Sequence, residues 1–163
     1  MAIFFGEFET SIDAKHRLAI GSMFRDQIVP AVDGENWILI LGPNRRLRLY
    51  PDLAYRKLVE KKMQTSALPN RQESTISLWF GLARHLRCDT QGRVVLPEKS
   101  MERASIGEKV TLVGINDHLE IWPTETWERH VDEMLSSPSY DESLYDAGDR
   151  MLSGDGEAGP SHG

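Results

Sequence analysis

Thr10-Ser11-Ile12-Asp13-Ala14-Lys15-His16-Arg17-Leu18-Ala19-Ile20 decides the fold, because its pattern returns 76 residues later as Leu86-Arg87-Cys88-Asp89-Thr90-Gln91-Gly92-Arg93-Val94-Val95-Leu96. Asp13 matches Asp89 and Arg17 matches Arg93. An internal repeat of this kind sets the architecture before any local propensity does. Phe8, Thr10 and Ile12 alternate with polar residues and predict a half-buried strand. Asp13–Arg17 reads as a polar turn and Arg17–Ile20 as a short strand.

The repeat continues beyond this stretch. Ile38-Leu39-Ile40-Leu41-Gly42-Pro43-Asn44-Arg45-Arg46-Leu47-Arg48-Leu49-Tyr50-Pro51 aligns with Val110-Thr111-Leu112-Val113-Gly114-Ile115-Asn116-Asp117-His118-Leu119-Glu120-Ile121-Trp122-Pro123 at an offset of 72. The first copy therefore carries four extra residues, placed around Val32-Asp33-Gly34-Glu35. Ser22 is expected to cap a brief helix over 23–28, and Pro97 and Gly107 bracket its counterpart. Each unit reads β-β-α-β-β, about 45 residues, too small for a secure core alone. Two copies packed together make one α+β, mainly β domain.

Outside the repeats the pattern is helical. Tyr55, Leu58, Val59 and Met63 form one apolar stripe, and Ile76, Trp79, Phe80 and Ala83 another. Thr124 is placed to cap a third helix, with Trp127, Val131, Met134 and Leu135 on one side. The chain divides into a first repeat at 1–51, a helical linker at 52–82, a second repeat at 83–123, a helix at 124–136 and an acidic tail at 137–163. The tail is expected to be mostly disordered, with a transient helix around Leu144, Tyr145, Met151 and Leu152.

Composition narrows the function. The 163 residues are 27% charged and 40% hydrophobic, an ordinary globular balance. A single cysteine, Cys88, excludes an internal disulfide and reads as a small buried hydrophobe, with redox sensing as the alternative. The N-terminus lacks a basic region ahead of its apolar run, so no signal peptide is expected, and no stretch has a membrane span's length. The net charge of −6 comes from residues 124–163, which carry −8; the first 123 residues carry +2. A polyanionic partner is therefore not excluded.

The repeated Asp-x-x-x-Arg carries the chemistry. An Asp at a strand end can accept backbone amides just downstream and close the turn. That gives the Arg a fixed origin, and its planar fork suits phosphates and guanine edges. One such pair is ordinarily a solvated ion pair worth little. Two at equivalent places in a duplicated unit are harder to dismiss. Arg45, Arg46 and Arg48, with Lys57, Lys61 and Lys62, offer phosphate contacts or a plain solvated surface. Trp37, Trp79, Trp122 and Trp127 read as core or subunit interface. The histidines show no metal spacing, no phosphate loop or catalytic constellation stands out, and neither enzyme activity, cofactor nor metal is expected.

With Gly6-Glu7-Phe8-Glu9, Ile12-Asp13-Ala14-Lys15-His16-Arg17-Leu18, Cys88-Asp89-Thr90-Gln91-Gly92-Arg93-Val94-Val95-Leu96-Pro97 and Leu119-Glu120-Ile121-Trp122 in view, the chain resembles the MraZ family of the AbrB/SpoVT-like superfamily over residues 1 to about 135. The resemblance implies one AbrB-like swapped-hairpin, double-psi-like barrel with flanking helices. It implies a cytoplasmic, nucleoid-associated DNA-binding regulator that represses its own operon in the division and cell-wall gene cluster, reads short direct repeats and assembles into rings. Arg17, Arg93, Lys15, His16, Gln91 and Gly92 would meet double-stranded DNA, and Asp13 and Asp89 would hold the motif. The chain departs from the family at His16, where Gly is usual, and at Gly21, where Pro is usual. A protein-binding adaptor built on the same barrel is the alternative; its interface would lie on the helices at 52–66 and 124–135.

Overall fold

The computed structural model describes residues 1–63 and 73–153. Its first compact unit spans Met1–Thr124 and its second begins at Glu125. The first unit is α+β with mostly antiparallel sheet. Strands β1 (Glu7–Ser11) and β2 (Arg17–Ala19) flank the first Asp-x-x-x-Arg loop, followed by helices α1 (Ser22–Arg25) and α2 (Pro30–Asp33) and the hairpin β3 (Trp37–Leu41) and β4 (Leu47–Pro51). Helices α3 (Asp52–Met63) and α4 (Glu73–Leu82) come next. Strands β5 (Arg84–Leu86) and β6 (Arg93–Val95), helix α5 (Glu98–Arg103) and the hairpin β7 (Lys109–Ile115) and β8 (His118–Pro123) then repeat the element order.

The two copies are woven together. The large sheet runs β1-β7-β8-β4-β3-β5, and β2 pairs only with β6. Exchanging each strand for its counterpart in the other copy reverses this order without changing it. β1 pairs with β7 rather than with β2, and β5 with β3 rather than with β6. Neither half has a complete sheet by itself. Inward positions from both copies fill one core, with Leu18, Leu39, Leu49, Leu96, Leu112 and Leu119 fully buried. Trp37 is buried there as expected. Cys88 is half-buried against the same core, and burial pushes its thiol up from the usual range. A second cluster holds Ile40, Tyr50 and Tyr55 with Leu58, Val59, Trp79 and Ala83, so α3 and α4 cover the other sheet face. Trp79 Nε1 donates to Tyr55 Oη at 2.9 Å.

The four extra residues of the first copy fall at the end of α2, with Val32 and Asp33 inside it and Gly34 just after it. Its Asp33 is fully buried, accepting Ala2 N at 3.1 Å and Val29 N at 2.9 Å. The insertion thus ties the N-terminus down and caps its own helix. Two expected caps differ. Gly21, not Ser22, precedes α1, which ends at Arg25, and no side chain caps it. Thr124 opens α6 (Thr124–Ser136), and its hydroxyl bonds Thr111 Oγ1 at 3.0 Å.

The second unit contains the rest of α6 and helix α7 (Tyr140–Ser153). Within the segment expected to be mostly disordered, the described residues are helical over Tyr140–Ser153. Leu144, Tyr145, Met151 and Leu152 recur at helical spacing, and Asp141 and Glu142 in the first turn suit the helix dipole. The tail beyond Ser153, and the part of the linker at 64–72, lie outside the described residues.

Across the centre of the sheet, equivalent residues of the two copies face one another. Arg48 is the Cα partner of Glu120, its own repeat counterpart, and Arg48 Nε lies 3.5 Å from Glu120 Oε2. His118 stacks on Tyr50 at 4.9 Å between ring centroids, with Nδ1 2.7 Å from Asp117 Oδ1 and Nε2 4.0 Å from Glu120 Oε2. Burial works against charge on His118, but the two carboxylates outweigh it and raise the imidazole above its ordinary 6.5. The hydrogen bond from His118 holds Asp117 below its ordinary 3.8, and the imidazole 4.0 Å away, with the Trp122 indole N–H and Arg48, holds Glu120 below its ordinary 4.5.

A raised folded-state value means that His118 stabilises fully below pH 6.5 and loses that contribution as pH rises through the raised value. The depressed carboxylates contribute above 4.5 and lose it as pH falls through their folded values. Urea denaturation across the pH range should therefore find this cluster's contribution greatest between pH 4.5 and 6.5. His118→Gln should flatten the decline on the alkaline side.

Candidate nucleic-acid interface

The two Asp-x-x-x-Arg loops have one geometry. Asp13 Oδ1 accepts Lys15 N and Arg17 N, each at 2.9 Å, and Asp13 Oδ2 accepts Arg17 Nε at 2.6 Å. Asp89 Oδ1 accepts Gln91 N and Arg93 N, each at 2.9 Å, and Oδ2 accepts Arg93 Nε at 2.9 Å. The backbone closes each loop through Asp13 N to Arg17 O and Asp89 N to Arg93 O. The amide of the residue bearing the arginine, more than the guanidinium itself, holds each carboxyl below its usual range. Each aspartate thus stays ionised and fixes both the loop and the root of its arginine.

The loops also lock each other. Ile20 N donates to Gly92 O at 2.8 Å, and at the equivalent place Leu96 N donates to His16 O at 2.9 Å. Between these bonds β2 and β6 form a ribbon in which Arg17 faces Val95, Leu18 faces Val94 and Ala19 faces Arg93. Opposed residues share a face, and alternate residues along a strand do too. Leu18 and Val94 point into the core, 0% and 1% exposed. Arg17, Ala19, Arg93 and Val95 share the outer face. The two arginines are diagonal neighbours there, roughly 7–8 Å apart at the backbone. Nε of each is engaged with its aspartate. The Nη groups take no hydrogen bond among the described residues, and the side chains are 34% and 29% exposed.

Lys15 and Gln91 are exposed at the loop tips. His16 and Gly92 occupy the same place in the two loops, and both have positive φ, 61° and 75°. The position therefore demands the left-handed region that Gly adopts freely and His adopts at a cost. The basic cluster disperses. Arg48 pairs with Glu120, and Arg46 stacks 3.5 Å above the Trp122 ring. Lys57 Nζ donates to Val32 O at 2.8 Å. None of these three joins the ribbon face. Arg25, which the motif pattern does not mark, lies against the second loop: a Cβ on Gly92 would stand 2.5 Å from its guanidinium carbon. The only sequence signal for it is negative, since the repeat places Met101 opposite it. No group of three His, Cys, Asp or Glu residues that could hold a metal occurs among the described residues. No helix among them is long and apolar enough to cross a membrane.

Comparison with known proteins agrees with the motif. A family model described as "MraZ protein, putative antitoxin-like" matches residues 79–148. A protein named Transcriptional regulator MraZ from Pediococcus pentosaceus is 37% identical, over 80% of this chain and 88% of its own. Proteins of that name from Roseiflexus castenholzii and Clostridium acetobutylicum are 33% and 30% identical, covering 84% and 90% of this chain and 92% and 99% of theirs.

The shared left-handed position makes opposite demands testable. His16→Gly should raise stability by about 0.5–1 kcal/mol, since the left-handed penalty exceeds glycine's extra chain entropy. Gly92→His should lower it by at least as much, because Arg25 fills the space as well. Chemical denaturation of the two variants beside wild type reads both signs.

Proposed function

This chain belongs to the MraZ family, and from that premise we propose that it is a transcriptional regulator that binds double-stranded DNA through the outer face of the β2–β6 ribbon. The observation that carries this reading is the single exposed face shared by Arg17 and Arg93, each anchored at Nε by its own aspartate. A two-stranded ribbon fits the major groove, and arginine is the commonest reader of guanine there. Arg17 and Arg93 read bases through their Nη groups. Lys15, His16 and Gln91 approach the backbone at the loop tips, Gly92, expected to do the same, is buried and shapes the second loop, and Asp13 and Asp89 hold the motif.

Further features follow from the same premise. The cross-pairing of β1 with β7 and β5 with β3 supports a duplicated swapped-hairpin barrel of AbrB type. The net charge of the first 123 residues is only +2, so a single subunit has little general attraction for DNA. A ring of subunits on successive repeats gains affinity through effective concentration. The regulator acts on its own operon as a repressor, in the nucleoid, and needs no cofactor.

Fluorescence anisotropy with duplex from just upstream of the protein's own gene tests the reading. The native duplex should bind roughly a thousandfold more tightly than a scrambled duplex. Affinity should fall steeply with salt. Arg17→Ala or Arg93→Ala should cost about 1–3 kcal/mol each if the side chain reads a base. Affinity untouched by both substitutions would remove the site, and binding to neither duplex would favour the protein-binding module. Size-exclusion chromatography with light scattering should find an assembly; a monomer at micromolar concentration refutes the ring.

A further inference from the structure

The two loops are equal in backbone and unequal in surroundings. Beside the first lies a shallow groove lined by Ile12, Asp13, His16, Met101 and Gly107. Its counterpart beside the second is lined by Cys88, Asp89, Gly92, Arg25 and Glu35. These are the same repeat positions, so the groove that has Met101 in one half has Arg25 in the other. Arg25 is held in place. Its Nε donates to Ile20 O at 2.8 Å, and Ile20 N donates in turn to Gly92 O at 2.8 Å. Its guanidinium covers the bare Cα of Gly92, which is buried, although Arg25 itself is exposed. An added Cβ would come 2.3 Å from Arg25 Nε, so a larger residue here would displace the guanidinium. Neither Asp89 nor Glu35 bonds Arg25, and its Nη groups have no hydrogen-bond partner among the described residues. A charged side chain with a pinned stem and an open tip, lying against the residue before Arg93, is built to meet an external anion.

Resting on the DNA-binding reading, we propose that Arg25 is a third DNA-contacting arginine, which takes a backbone phosphate at the second loop and so gives the ribbon a front and a back. A symmetric reader favours a symmetric site. With Arg25 at one end and Met101 at the other, the pair of loops binds its site in one orientation.

The test is salt-dependent anisotropy on the upstream duplex with full-length protein. Arg25→Met should weaken binding about tenfold and reduce the slope of log K against log[salt] by about 0.9, the value of one phosphate contact. Arg25→Lys should keep the wild-type slope, because a lysine still reaches a phosphate as a point charge. A second variant pair reads the converse: H16G with M101R rebuilds the second loop's arrangement at the first and should add about 0.9 to the slope. If R17A and R93A lose binding while R25M keeps wild-type affinity and slope, this inference is wrong and the interface stands. If R25M and R25K both weaken binding without changing the slope, Arg25 only positions the loop, which also overturns the proposal. Wild-type protein that binds no duplex overturns the interface and this inference together.

Discussion

One carboxylate in each half does three jobs at once, and the ribbon depends on it. Asp13 and Asp89 each accept two backbone amides and a guanidinium Nε. The amides close a five-residue loop that has no hydrophobic reason to close. The guanidinium contact removes the freedom of the inner half of a long side chain, whose ordering would otherwise cost entropy at the moment of binding. What remains free is the outer fork. Because each loop's left-handed residue also receives an amide from the opposite strand, the two arginines are fixed relative to each other as well as to the chain.

That mutual fixing extends through the sheet. β1 and β5 complete the hairpins of the opposite copies, so the core forms only when β1 meets a strand about a hundred positions away and β5 meets one 45 to 49 positions away. Long-range pairing of this kind is slow to nucleate but leaves no half able to open alone. The outer ribbon, resting on Leu18 and Val94 in the core, inherits that rigidity.

Much of this was legible in the sequence, and the failures have physical causes. The offsets of 76 and 72 reveal the repeat, the turn and the insertion, because Asp, Arg, Gly, Asn and Pro have positional meanings that burial does not alter. Asn44 and Asn116 bear this out, both left-handed at equivalent turns. His16 marks a strained position only because Gly92 marks the same one. The fate of Arg46 and Arg48 was not legible. Composition shows their charge, but only the β4–β8 register brings Glu120 opposite Arg48, and only side-chain packing brings Trp122 beneath Arg46. Arg25 was invisible for the same reason: its place against the second loop depends on a missing side chain in the opposite half. The apolar spacing of Tyr140–Ser153 points to a helix, and its acidic composition made that helix read as transient.

The Arg48–Glu120 pair bears on the symmetry of the molecule. Where two identical chains meet on a twofold axis, a residue near the axis faces itself and cannot take an opposite charge. A single chain is free of that restriction, and here the central sheet has arginine on one side and glutamate on the other. A molecule built from two first copies would oppose arginine to arginine, and one from two second copies glutamate to glutamate. The two halves of this chain are alike in backbone and not interchangeable.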